Sequence, residues 1–103
     1  MVVSNIIEQV IESNQSRLEN LDLTQFLTDL QSNNILNKDE VEGLIEITST
    51  KKRNKIFIKI LMAGDDKAFY EFCGLLTQNQ ADSVKNLGSD LRLKANNGKE
   101  PYQ

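Results

Sequence analysis

Apolar residues recur along this chain at intervals of three and four, and no window of it sustains the strict alternation that a half-buried strand requires. The pattern predicts an all-α fold: six short antiparallel helices joined by connections of roughly two to six residues. The first helix opens after Ser4 and aligns Ile7, Ile11, Leu18 and Leu21 on one stripe, with Ile6 and Val10 widening it. The polar run Ser13-Asn14-Gln15-Ser16 interrupts that stripe with side chains that compete for backbone hydrogen bonds, so a kink or re-start is expected there.

The later helices carry start signals of their own. Asp22 with Gln25 has the form of a capping box, followed by Leu23, Phe26, Leu27 and Leu30 at helical spacing, which predicts a second helix from about Leu23 to Ser32. Asn37 with Glu40 repeats the cap, and Val41, Leu44 and Ile45 supply the stripe of a short third helix. Ser49 or Thr50 caps the fourth, with Ile56, Phe57, Ile60 and Leu61 read as inward and Gly64 as a left-handed stop. Ile58 points away from the Ile56 and Ile60 side, either under the first helix or out into an interface. Asp65 caps a fifth helix with Phe69, Phe72, Cys73 and Leu76 inward, and Asn79 caps a sixth with Val84, Leu87 and Leu91, weakened near its end by Gly88. No internal repeat is present.

These stripes define one helical domain over residues 1–94. Residues 95–103 include Asn96-Asn97-Gly98-Lys99-Glu100-Pro101, which has nothing apolar to bury and reads as a polar tail or the start of a linker. A chain of 103 residues with 39% hydrophobic content fills one core without a metal or disulfide staple, and it is too short for a two-domain enzyme.

Composition then removes most chemistry. The chain has no His, no Trp and a single Cys, so familiar metal sites and His-dependent nucleophile schemes lack their parts, and no cofactor, metal or small-molecule substrate is expected. Cys73 cannot form an internal disulfide and lies on an inward stripe, where an inert buried thiol is the expectation. The chain begins without a charged segment leading into a long apolar stretch, and its longest nearly apolar run, Ile56 to Ala63, is too short to span a bilayer. A cytoplasmic, non-enzymatic protein with no membrane contact is the reading.

Charge is unevenly divided. Residues 1–50 hold nine carboxylates and two bases, a net −7, whereas residues 51–103 hold ten bases and six carboxylates, a net +4. Such a split predicts a dipolar surface able to dock head to tail on a copy of itself or a relative. Lys51, Lys52, Arg53, Lys55 and Lys59 concentrate the positive charge in the fourth helix. A solvated helix face is the plain alternative for that run. Nucleic-acid binding is disfavoured by the net charge of −3 and by the lack of a nearby stacking ring other than Phe57, which the core claims; a small helical nucleic-acid binder is the alternative of a different class.

The order and spacing of several segments resemble the caspase recruitment domain (CARD), the six-helix member of the death-fold superfamily whose first helix is commonly bent or broken. The resemblance covers about 70 residues. It is carried by Leu27-Thr28-Asp29-Leu30, Asn34-Ile35-Leu36-Asn37, Val41 to Leu44, the cap at Ser49 with Arg53 four residues on, Ile60-Leu61 with Gly64-Asp65, and Ala68-Phe69-Tyr70-Glu71-Phe72.

What the resemblance implies is homotypic assembly with another CARD-containing protein, whether caspase, adaptor or receptor, that recruits a caspase or kinase pathway in apoptosis or inflammation. It also implies that the chain joins itself in a helical oligomer. A CARD-only decoy that caps such assembly is the alternative within the same family. In the family a basic face on the first and fourth helices commonly meets an acidic face on the second and third. Here Arg17, Lys52, Arg53, Lys55 and Lys59 match the basic segments, and Asp29, Asp39, Glu40, Glu42 and Glu46 the acidic ones. A departure is that the first helix offers one base only. Because Asp39 and Glu40 also stabilise a helix start, Glu42 and Glu46 are the clearer interface candidates.

The inward stripe of the fifth helix is directly testable. Truncating Phe69 or Phe72 to Ala costs about 3–5 kcal/mol if both rings are buried, out of the roughly 5–15 kcal/mol such a domain has in total. Thermal denaturation measures it, and unchanged melting in both variants would mean that the stripe faces outward.

Overall fold

A computed structural model describes residues 3–99 of the chain. Among the described residues the secondary structure is wholly helical: α1 (Asn5–Ser13), α2 (Gln15–Glu19), a 3-10 turn (Leu23–Phe26) leading into α3 (Leu27–Ser32), α4 (Lys38–Glu46), α5 (Thr50–Ala63), α6 (Asp66–Thr77) and α7 (Asp82–Lys99). That is seven α-helices where six were expected, and the difference is Asn14. Its backbone leaves the helical region at φ −114°, ψ 16°, and its buried amide donates to Val10 O at 2.9 Å, which divides the first expected helix into α1 and α2. The division lets α1 pack on α7 while α2 packs on α5.

Most starts follow the sequence signals. Ser4 accepts from the Ile7 N–H, Ser49 from Lys52 and Asp65 from Ala68, and Asn37 with Glu40 closes a complete capping box. Two stops and one start differ from expectation. Gly64 ends α5 in an extended conformation, φ −84°, so the left-handed stop foreseen there does not form. It forms instead at Asn34, φ 61°, where the Ile35 N–H reaches back to Leu30 O at 2.9 Å and the Asn34 N–H to Gln31 O at 3.0 Å, a Schellman closure that swings the chain from α3 into α4. Asn79 does not cap the last helix. Its side chain accepts from the Ala81 N–H and donates to Gln25, tying the α6–α7 connection to the 3-10 turn, and α7 begins at Asp82.

The core is continuous through all seven helices and includes Ile7, Ile11, Leu18, Leu27, Leu30, Leu44, Leu61, Phe69, Phe72 and Leu87, as the spacing predicted. Ile60 and Val84 are half-buried at its edge. The orientation of α5 differs by part of a turn from the expected one: Ile56 is exposed and Ile58 is buried. Phe57 meets Phe72 edge to face, centroids 5.1 Å apart, which locks α5 to α6. Residue 95 was placed in the tail, yet α7 runs on to Lys99 and Ala95 is fully buried. Residues 100–103 lie outside those described.

Gly88 stands within α7 rather than at its end, and it is the closest helix–helix approach in the fold. A Cβ there would lie 2.7 Å from the Leu76 Cβ and 2.8 Å from the Cys73 carbonyl oxygen on α6, whereas a Cβ at Gly43, on the outer side of α4, would meet nothing within 4 Å. The two glycines therefore respond oppositely to alanine. Gly43→Ala stabilises by about 0.5–1 kcal/mol through helix propensity, while Gly88→Ala must part α6 from α7 and destabilises by about 1–3 kcal/mol. Urea denaturation of the two variants checks the sign.

Candidate functional site

The basic helix α5 divides its side chains between two tasks. Phe57, Ile58 and Leu61 enter the core, and with them go two polar residues, Arg53 at 9% exposure and Asn54 at 1%. The Arg53 guanidinium donates from Nε to Leu44 O at 3.0 Å and from a terminal nitrogen to Ile47 O. Those carbonyls end α4, whose last C=O groups have no partner within the helix. The Asn54 amide does the same for α2, donating to Leu18 O at 2.8 Å and Leu21 O at 2.7 Å. Arg53 is thus held by the turn between α4 and α5, and Asn54, which the sequence reading did not single out, is the deepest polar side chain of the fold. The signal was available: Arg53, Asn54, Phe57 and Leu61 fall at one, four and eight positions on a single helix face.

Away from the core, Lys52, Lys55 and Lys59 are all exposed at i, i+3 and i+7, which places them within an arc of about 60° on a helix of 3.6 residues per turn. Asp39, Glu42 and Glu46 have the same spacing on the outer side of α4 and are likewise exposed, opposite the buried Val41 and Leu44. Asp29 is exposed on α3. Glu40 is half-buried, engaged through its carboxylate with the Asn37 N–H at 2.9 Å, and shares a shallow depression with Lys59 and Ile60. Because the Glu40 end of α4 lies beside the Ile60 end of α5, the two helices run antiparallel, with their acidic and basic stripes side by side.

Between the stripes runs an apolar groove lined by Gly43, Leu44, Ile47, Ile56 and Ile60. Ile56, 42% exposed, is the one large apolar residue of α5 left open to solvent among those described, and the core-facing reading of it had hidden this position. Arg17 is not brought to this surface. Its guanidinium pairs with Asp90 on α7 at 2.9 Å and touches the Asn14 amide oxygen at 3.3 Å, on the opposite side of α2 from α5. The fold therefore assembles a lysine stripe on α5 alone and leaves the expected base of the first helix elsewhere.

No part of this arrangement is set up for bond-making chemistry. Cys73 is fully buried, and loss of solvation pushes its thiol up to about 12, against a smaller opposing pull from Arg92, so it stays protonated and out of reach. The described residues contain no cluster of His, Cys, Asp or Glu placed to hold a metal ion, and no helix among them is long and apolar enough to cross a membrane. What the surface offers is two opposed charge stripes flanking an apolar seam, which is the anatomy of a docking face.

The division of labour on α5 separates two charge reversals that the sequence alone treated as equivalent. Arg53→Glu breaks the α4 terminus and buries a carboxylate against carbonyl oxygens, costing about 2–5 kcal/mol. Lys55→Glu, on the solvated arc, stays within about 0.5 kcal/mol of the parent. Chemical denaturation of the two proteins decides it, and equal stability would overturn the role assigned to Arg53.

Neither a curated protein nor a solved structure matches the chain. A family model does, that of the caspase recruitment domain, over residues 8–90, which spans α1 through the middle of α7 and both charge stripes. The chain belongs to the CARD family, a family of protein-interaction domains that bind other CARDs, and not to a catalytic one.

Proposed function

We propose that this domain docks another CARD through complementary charge, with the Lys52, Lys55 and Lys59 stripe of one molecule against an acidic helix of the next, and the Asp39, Glu42 and Glu46 stripe against a basic one. The observation that carries this reading is the matched spacing of the two stripes on the outer faces of adjacent antiparallel helices. Opposite signs on different sides of one molecule make a head-to-tail contact, which repeats into an open assembly unless the rotation closes. In the family this is the route by which a caspase or kinase pathway in apoptotic or inflammatory signalling is recruited in the cytoplasm, and we assign the domain to that role. The apolar groove between the stripes adds the desolvated centre that such a contact needs.

Arg53 is excluded from the interface variants because it holds the fold, so the test uses exposed residues only. Lys55→Glu with Lys59→Glu reverses the basic stripe, and Glu42→Lys with Glu46→Lys reverses the acidic one. Each double variant alone faces like charge with like charge and sediments as a monomer. An equimolar mixture pairs both natural and reversed stripes and associates, more weakly as salt shortens the screening length below about 8 Å. Sedimentation velocity over a salt series reads the outcome. A mixture that associates no better than either variant alone sinks the charge-complementarity mechanism.

A further inference from the structure

The lysine stripe of α5 does not stand on a basic surface. The register of α5 against the first two helices is antiparallel: the Val3 N–H bonds Met62 O at 3.0 Å near the end of α5, and Asn54 near its start bonds the carbonyls that close α2. Carboxylates follow this seam. Glu8 lines the same surface depression as Lys59 and Met62, between α1 and α5. Glu12 is exposed one turn further along the same side of α1. Glu19 lies 4.0 Å from Lys51 with its side chain only 12% exposed, and it also accepts from Gln15 at 2.8 Å, so this carboxylate is fixed in place. Arg17, the one base in this part of the chain, faces α7 instead.

We propose that the surface formed by α1, α2 and α5 is a docking face of two signs, lysines along its centre and carboxylates along one edge, which selects a different CARD whose acidic helix is bordered by a basic side chain and selects against a second copy of this chain. The inference rests on the docking reading above and goes beyond it by naming the kind of partner. An acidic helix approaching the lysines brings its own edge over Glu8, Glu12 and Glu19. If that edge is acidic or neutral, the edge repels or gains nothing; if it carries a Lys or Arg, both signs are met at once. This chain cannot supply such an edge. Between residues 18 and 50 it holds one base, Lys38, at the first turn of α4 and beyond the acidic stripe it would have to border. The edge carboxylates therefore act as the repulsive element that specific recognition needs as much as attraction.

The experiment removes the edge and asks for a gain. Sedimentation of the parent, of Glu8→Gln with Glu12→Gln, and of Glu8→Lys with Glu12→Lys reads self-association at low and physiological salt, with circular dichroism to show that all three are folded. The expected result is a parent that is monomeric or weakly associating and a graded tightening, on the order of tenfold for the lysine variant. That tightening is lost again when Glu42→Lys and Glu46→Lys are added. A parent that associates as tightly as the edge variants, or edge variants that gain nothing, overturns the proposal. If that happens while the charge-swapped mixture described above still assembles, the selection alone has failed and the docking mechanism stands. If the mixture is inert as well, the docking mechanism has failed and takes this proposal with it.

Discussion

Two neighbouring donors on α5, the Arg53 guanidinium and the Asn54 amide, hold the chain in its path. A short helix ends with carbonyls that no turn of its own can satisfy, and burying such an end without donors costs about 1–3 kcal/mol for each group. Here α2 and α4 are only 5 and 9 residues long, and both end against α5. Arg53 closes one and Asn54 the other, so a single turn of α5 fixes the direction in which the chain leaves two different helices. The amide orientation of Asn54 follows from this demand. Both of its N–H bonds go to carbonyls, and its buried Oδ1 has no hydrogen-bond partner among the described residues. The position is set by what the backbone needs, and the rest of α5 must present whatever residues come next on the wheel.

That constraint explains the layout of charge. With Arg53 and Asn54 turned inward beside Phe57 and Leu61, the residues at 52, 55 and 59 can only face solvent. Their being lysine converts a structural remainder into a stripe. The same geometry leaves Ile56 at the rim of the α4–α5 groove, where the acidic helix begins.

The legible part of this fold was whatever depends on local spacing and local caps. Ser4, Asn37, Ser49 and Asp65 announce helix starts because a short polar side chain meets a free N–H within three residues, and Phe69, Phe72 and Leu76 mark one buried face because they share a period. Illegible were features settled by a distant element. Gly88 looks like a helix weakener until α6 is laid across it. Asn79 looks like a cap until Gln25 claims its side chain. Arg53 looks like one base among five until the carbonyls of Leu44 and Ile47 are brought to it, and Arg17 was grouped with α5 because no sequence pattern places Asp90 beside it. The stripes were visible as composition and became a surface only once the rotation of α5 was known, which Ile56 and Ile58 had been assigned the wrong way round.

The break at Asn14 also sets an order of events in folding. The contact between α6 and α7 joins neighbours in sequence and closes a short loop, whereas α1 must find α7 some 70 to 80 residues away, and Ser4 bonds Asp66 across a separation of 62. Pairings at such separation form late, because the chain entropy they cost is recovered only after the elements between them are in place. A chain emerging from the ribosome therefore exposes its strongly acidic first half, unpaired and well solvated, until the helix near its far end arrives to receive α1. The carboxylate edge and the lysine centre come into register only at that closing step, so a partner meets a finished docking face or none.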